Sequence, residues 1–256
     1  DMPQTTIPDV TSPRDATLAA HQLAGFGVDL PDAATAWLKK LHELRDDPPP
    51  EAVRNQVGTL YADSATPAAI DKALAYAVSQ NLRSGQHRHA QQICGRRMLD
   101  ALLADAPRLH NELAVTANGI IGRLHEAAQI NETVAELVKQ RRVDAAHTLA
   151  TAESDVAELD DLFKIRNSFL TPPGARWPTG WYDCSVWANP WDISAGHVSE
   201  SDGTKWGKMR ATIRASGVLW FATHEQATTA SAAHEPADML PPINPRRTGN
   251  ATFASN

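Results

Sequence analysis

Cysteine is scarce in this sequence, since Cys94 and Cys184 are the only two among 256 residues. Two thiols so far apart do not make a disulfide framework, so we expect free, buried cysteines in a reducing compartment. A chain of this length can bury a core that needs no disulfide or metal to stabilise it. The sequence therefore predicts a fold that is held together by packing alone.

Long apolar runs and an excess of positive charge are also missing. No run approaches the ~20 apolar residues of a membrane helix, and the start has no basic segment followed by an apolar one. The formal net charge is −6, whereas general nucleic-acid binders carry extra Lys and Arg to neutralise phosphate. We expect a cytoplasmic or virion-associated protein with no recognisable secretion signal, no membrane contact, and no nucleic acid except through its tail.

Aromatic residues are few, and the tryptophans among them are unevenly placed. Six of the seven tryptophans lie between Trp177 and Trp220, and none lies between Trp37 and that cluster. The residues before the cluster are rich in Ala and Leu at helical spacing. This division predicts a mainly α-helical protein whose C-terminal part is built differently.

Proline and capping residues divide the first part into short helices. Ser12-Pro13 and Thr66-Pro67 each place a hydroxyl residue before a proline, which suits a helix start. The helices predicted in this way cover residues 13–24, from Asp29 or Asp32 to Pro48, 51–61, and from Pro67 to a break at Ser84-Gly85. We expect residues 1–12 to form an extended arm and residues 13–85 a helical bundle.

Residues 86–170 carry an apolar residue at every third or fourth position. The clearest members of this stripe are Leu109, Leu113, Ile120 and Leu124. One interpretation is a single helix over 109–170, which would be ~90 Å long at 1.5 Å per residue. The other is an antiparallel helical hairpin, broken near Asn131 or near Arg141-Arg142. In both cases the narrow stripe needs a partner, from this chain or from another copy.

The tryptophans fall in residues 171–222, where Gly and Pro interrupt the chain and predict a small β/irregular module. Alternating apolar residues between Met209 and Ala222 predict one or two strands around Gly217. Four tryptophans lie near turns: Trp177, Trp181, Trp187 and Trp191. Their rings can form a small core, a protein interface or a surface on which a ligand stacks. Residues 223–256 are polar, and we expect an extended tail.

No motif in the sequence identifies a reaction. His87, His89 and Cys94 are close together, but on a helix His89 points away from the other two. There is no Gly-x-Ser-x-Gly nucleophile elbow and no phosphate-binding glycine loop. We therefore predict no catalytic residue, no metal ligand and no cofactor. The pair Arg246-Arg247 in the tail can dock on an acidic partner, although two charges alone bind weakly.

These features together predict a non-enzymatic structural or assembly subunit of a large protein complex, as a homo-oligomer or with other subunits. The candidate interface residues are Trp177, Trp181, Trp187, Trp191, Leu109, Leu113, Ile120, Leu124, Arg246 and Arg247. Frequent Ala and a preference for Arg over Lys are typical of high-GC genomes, so a virion component of a phage of such a host is the specific form. The alternative is a ligand-binding protein or enzyme with a saccharide-like ligand in the Trp-rich module.

Overall fold

The computed structural model describes residues 13–44, 59, 66–177, 184–193 and 203–233. This part of the chain is mainly helical, as the sequence predicted. Its α-helices are α1 (Pro13–Gly25), α2 (Asp32–Glu43), α3 (Pro67–Ala104), α4 (Ala106–Gln129), α5 (Val134–Lys139), α6 (Val143–Phe169), α7 (Lys205–Arg214) and α8 (His224–Ala233). Outside the described residues lie the arm 1–12, most of the helix expected over 51–61, Trp181, and Arg246 with Arg247.

The central stripe forms the hairpin rather than one long helix. Helices α4 and α6 pack along each other, and α5 lies between them in the chain. Arg123 near the end of α4 binds Asp155 in the middle of α6. His110 near the start of α4 and Phe163 near the end of α6 both stack on the ring of Phe221. The two helices are therefore antiparallel.

Both break points that the sequence offered are used. After Asn131, Thr133 starts α5 with a capping box, in which its hydroxyl accepts from the Glu136 backbone N–H and the Glu136 carboxylate accepts from the Thr133 N–H at 2.7 Å. At the other end Arg141 has a φ of 60°, and the Arg142 N–H donates to the Leu137 carbonyl at 2.9 Å. This is a Schellman turn with arginine at the position that glycine usually fills.

The apolar stripe is buried inside the chain itself. Leu109, Leu113, Ile120 and Leu124 are at most 1% exposed. They belong to one core that also contains Leu159, Leu162 and Ile165 of α6. Of the two partners that the sequence left open, this chain or another copy, this chain supplies one: α6 covers these four residues, because the hairpin turns the two apolar faces toward each other.

Helix α3 runs unbroken through Ser84-Gly85, where the sequence predicted its end. The expected boundary between residues 85 and 86 therefore lies inside a helix. Gly85 is not among the residues with positive φ, and a helical glycine costs only about 1 kcal/mol relative to alanine. With no proline nearby to stop it, the helix continues to Ala104.

Helices α1 and α2 pack on the C-terminal part of α3. The buried residues of α3 are Cys94, Gly95, Met98, Leu99 and Leu102. A Cβ at Gly95 would lie 3.1 Å from the Pro13 Cα, so glycine permits the close approach of α1. From Pro67 to Ile93, in contrast, no residue of α3 is buried.

The C-terminal part differs from the expected β/irregular module and extended tail. Residues 209–214 belong to α7, which Thr204 caps by accepting from the Gly207 N–H at 2.8 Å. Ser216, with a φ of 73°, then turns the chain, and Trp187 and Leu219 form an isolated β-bridge. Within the described residues this alternation does not produce a strand, because its first half also satisfies helical spacing. Beyond residue 223, α8 occupies the start of the expected tail.

Two helical glycines provide a test of this packing. Gly122 has no atom within 4 Å of an added Cβ, so Gly122→Ala should raise the free energy of unfolding by about 0.5–1 kcal/mol through its backbone entropy. Gly95→Ala, which meets the Pro13 backbone, should give no such gain and should lower stability. Urea unfolding of both variants checks this. A stabilising Gly95→Ala would contradict the close contact of α1 with α3.

Candidate functional site

A buried arginine stands at the end of the hairpin. Arg166, in the last turn of α6, is 1% exposed. Its guanidinium carbon lies 4.7 Å from the ring centre of Phe163, 4.0 Å from that of Trp177 and 5.2 Å from that of Phe221. Its Nη1 donates to the carbonyl of Ser185 at 2.9 Å and to that of Ala222 at 3.1 Å. We call Arg166 and these three rings the arginine cluster.

The arginine cluster joins three parts of the chain that are distant in sequence. Burying a cation costs several kcal/mol unless its donors and its charge are satisfied. Here carbonyls from residues 185 and 222 accept its hydrogen bonds, and desolvated cation–π contacts contribute about 2 kcal/mol or more. The chain segments around Ser185 and Ala222 must therefore stay docked on α6 for Arg166 to remain inside. The cluster is a structural centre.

His110 of α4 lies directly against this cluster. Its ring stacks on Phe221 with centroids 5.0 Å apart and an interplanar angle of 25°. It is 8% exposed, and within the described part of the chain its Nε2 finds no hydrogen-bond partner. Burial lowers the pKa of His110, the charge of Arg166 lowers it further, and hydrogen bonding to the Ala222 backbone opposes both. The fold thus favours the neutral imidazole.

Two of the three candidate tryptophans among the described residues pack against other parts of the chain. Trp187 is 8% exposed and belongs to the main core. Trp177 stacks on Arg166, donates to the Thr171 hydroxyl at 2.9 Å and meets His224 edge-on at 5.2 Å. Trp177 fits the interpretation as a small core, since it packs against Cys184, Ala222 and Ala227, whereas Trp187 belongs to the main core. Trp191 remains 42% exposed and keeps a surface that a partner or ligand can contact.

Two arginines of α7 bind the C-terminal end of α4. Arg214 donates from Nε to the Ala128 carbonyl at 2.6 Å and from Nη2 to the Ile130 carbonyl at 3.0 Å. Arg210 donates to the Ile130 carbonyl as well. The last carbonyls of a helix have no partner within it and carry partial negative charge, so two cations suit them. The spacing of four between Arg210 and Arg214 was the only signal in the sequence, and it does not identify the target.

Arg123 and Asp155 form a further contact between α4 and α6. The Arg123 guanidinium binds the Asp155 carboxylate with two hydrogen bonds, of 2.5 and 3.2 Å. The Asp155 side chain is 7% exposed and that of Arg123 is 47% exposed. The hydrogen bond with Asp155 raises the pKa of Arg123. The pair sets the register of the hairpin.

The described residues do not bring reactive groups together. No three His, Cys, Asp or Glu side chains among them form a group that could hold a metal ion. In particular, His87 and Cys94 do not come together with other ligands there. A surface groove beside the start of α1 contains one histidine and no carboxylate among its described lining residues, which are Pro13, Arg14, Thr17, Leu41, His42 and Gln91.

The N-terminal part of α3 exposes large apolar side chains. Leu74 is 37% exposed, Tyr76 53%, Val78 56% and Leu82 66%. The sequence predicted that this helix packs within the N-terminal bundle of residues 13–85, and the spacing of Leu74 and Val78 suits such packing. In the structure α1 and α2 pack further along α3, around Cys94 and Met98, so these residues remain at the surface.

Known proteins offer no further assignment. No family model matches the chain, and neither the curated proteins nor the solved structures contain a detectable relative. Among the helices that the structure describes, none combines the length and the apolar character that crossing a membrane requires.

The arginine cluster can be tested by substitution. Arg166→Ala removes the donors of two buried carbonyls and leaves a cavity between three rings, so we expect the free energy of unfolding to fall by about 3–5 kcal/mol. Urea unfolding followed by tryptophan fluorescence measures this. Arg83→Ala, at an exposed position, should change stability by no more than about 0.5 kcal/mol. Equal urea midpoints for the two variants would contradict the central role of Arg166 in the stability of the fold.

The buried histidine predicts a pH dependence. The unfolded chain has His pKa values near 6.5, and the folded pKa of His110 is lower, so the unfolded state binds more protons below that pH. Stability is then complete above pH ~6.5 and falls by up to about 1.4 kcal/mol per pH unit as the pH drops toward the folded value.

His110→Phe keeps the ring stack and removes the titration, so its loss of stability between pH 7.5 and 5.5 should be smaller by up to about 1.4 kcal/mol. Burial also lowers the pKa of His125, which contributes in the same direction and leaves a residual slope in this variant. His147→Gln, at an exposed position, serves as the control and should keep the wild-type slope. An unchanged slope in His110→Phe would contradict the neutral, buried imidazole.

Proposed function

We propose that this protein is a non-enzymatic structural subunit that assembles into a larger complex, and that the N-terminal part of α3 forms the contact. The observation that carries this proposal is the 27-residue stretch of α3 from Pro67 to Ile93, in which no residue is buried. It nevertheless presents Leu74, Val78 and Leu82 to solvent. Helices of soluble proteins bury an apolar face, and exposed apolar patches commonly mark interaction sites.

The length of this stretch strengthens the argument. At 1.5 Å per residue it extends ~40 Å, and helical stability in proteins comes mainly from packing of an apolar face. In the described chain the fully buried residues of α3 begin at Cys94, and Gln91 just before it donates to the Leu44 carbonyl at 2.7 Å. A partner that covers residues 67–93 would supply the missing contacts.

The remainder of the described chain provides a stable base for such a contact. The hairpin buries its own stripe, and the arginine cluster and the Arg210–Arg214 pair fix the C-terminal segments to it. The groups with shifted pKa values serve this architecture: His110 packs on Phe221, and Glu136 caps a helix. A scaffold role uses all of these features, whereas a catalytic role would require them to converge on a substrate.

The complex that we propose is a homo-oligomer or a multi-subunit protein assembly. The more specific form, a virion component of a phage that infects a high-GC bacterium, is supported by the Ala- and Arg-rich composition alone. This form goes with a cytoplasmic or virion-associated location, and any nucleic-acid contact would fall to the tail with Arg246 and Arg247.

Size-exclusion chromatography with light scattering tests the proposal. The chain has a mass of 27.7 kDa. We expect a mass at least twice this value at tens of micromolar protein, with dissociation on dilution, because the contact requires a second chain. A constant mass of 27.7 kDa across the whole concentration range would contradict assembly as a homo-oligomer.

A further inference from the structure

We propose that the exposed face of α3 binds the same face of a second copy, with the two helices antiparallel. This inference rests on the proposed assembly function and names its partner. The face consists of residues at alternating steps of three and four positions, the spacing of a coiled-coil seam. Its members are Asp71, Leu74, Val78, Asn81, Gly85 and Arg88, and all six are exposed. We call this set the α3 seam.

The α3 seam is the exposed beginning of a face that packs against α1 further along the helix, where Gly95 lies close to Pro13. Gly95, Leu99 and Leu102 extend the seam at the same spacing and are buried, so only its part before them, up to Arg88, is open. At Gly85 an added Cβ would meet nothing within 4 Å. The seam is therefore open along its length, and Leu82, which is 66% exposed, widens its apolar part.

The seam is complementary to the same seam of a second copy that runs in the opposite direction. When a second helix runs antiparallel, Asp71 faces Arg88 of the second copy, and Leu74 faces Gly85 of the second copy. Val78 then faces Asn81 near the two-fold axis. Opposite charges meet at both ends, and the leucine enters the gap that the missing glycine side chain leaves. Because a two-fold contact is isologous, each pairing occurs twice.

The parallel arrangement lacks these matches. It would place Asp71 against Asp71 and Arg88 against Arg88, and like charges across an interface are unfavourable. It would also place Gly85 against Gly85 and leave a gap at that level. Charge and shape thus favour the antiparallel pair, and the seam spans ~26 Å from Asp71 to Arg88 at 1.5 Å per residue.

Charge reversal of the full-length chain tests the pairing. Asp71→Arg and Arg88→Asp each place like charges together twice in a homodimer, so each should raise the dissociation constant about tenfold or more. An equimolar mixture of the two variants restores both pairings in the mixed dimer. We expect native mass spectrometry, which separates the variants by mass, to show mainly the mixed dimer.

A second pair of variants tests the apolar part of the seam. Leu82→Asp should dissociate the dimer, whereas Val115→Asp, at a residue of α4 that is 75% exposed, should leave the mass by light scattering unchanged. Circular dichroism of each variant shows whether it remains folded. Both side chains are largely exposed, so folding should be retained.

The outcomes separate the inference from the proposed function. If the wild type is oligomeric and Leu82→Asp has the same mass, the contact lies elsewhere and the inference is wrong, although an assembly function stands. If the charge variants weaken the dimer but their mixture forms no mixed dimer, the antiparallel pairing is wrong. A wild type that stays monomeric overturns the inference and the homo-oligomeric form of the assembly function.

Discussion

The charge of Arg166 has to be kept inside the protein, and much of the described fold can be understood from that requirement. Its guanidinium is enclosed by Phe163, Trp177 and Phe221 and hydrogen-bonded to two backbone carbonyls. Those carbonyls belong to segments that follow α6 in the chain, so undocking these segments would break the buried hydrogen bonds and separate the guanidinium from Phe221. The aromatic rings of the C-terminal part are consequently used for structure before they are available for binding.

Fixing the end of α6 in this way also closes the hairpin. His110 reaches the same Phe221 from α4, and Arg214 holds the opposite end of α4 through the Ala128 carbonyl. The leucine stripe is then covered by the chain's own second helix, whereas Leu74, Val78 and Leu82 of α3 are exposed. The assembly that we propose would use these residues of α3 and leave the core unchanged.

Local signals in the sequence predicted local features well. The glycines after residue 24 end α1, Thr66-Pro67 starts α3, and the weak points near Asn131 and Arg141 become the turns of the hairpin. Two predictions failed because the local signal was weak. The helix break at Gly85 was wrong, since a helical glycine costs only about 1 kcal/mol and the long helix continues through it. The strand from Met209 was wrong, since its alternation is compatible with a helix as well. The arginine cluster could not be predicted, because no local signal distinguishes the buried Arg166 from the exposed Lys164 on the same helix, and the partners of Arg166 are distant in sequence.

Hydrogen–deuterium exchange of the full-length chain, measured at low and high protein concentration, tests the central claim most directly. The account predicts that the amides of α4, α6 and the segments around Ser185 and Ala222 are protected together at both concentrations. The amides of α3 from residue 71 to residue 88 should exchange quickly in dilute solution and become protected as the concentration rises. Strong protection of that stretch at every concentration, including the lowest, in a protein that stays monomeric would contradict the claim that another molecule covers α3.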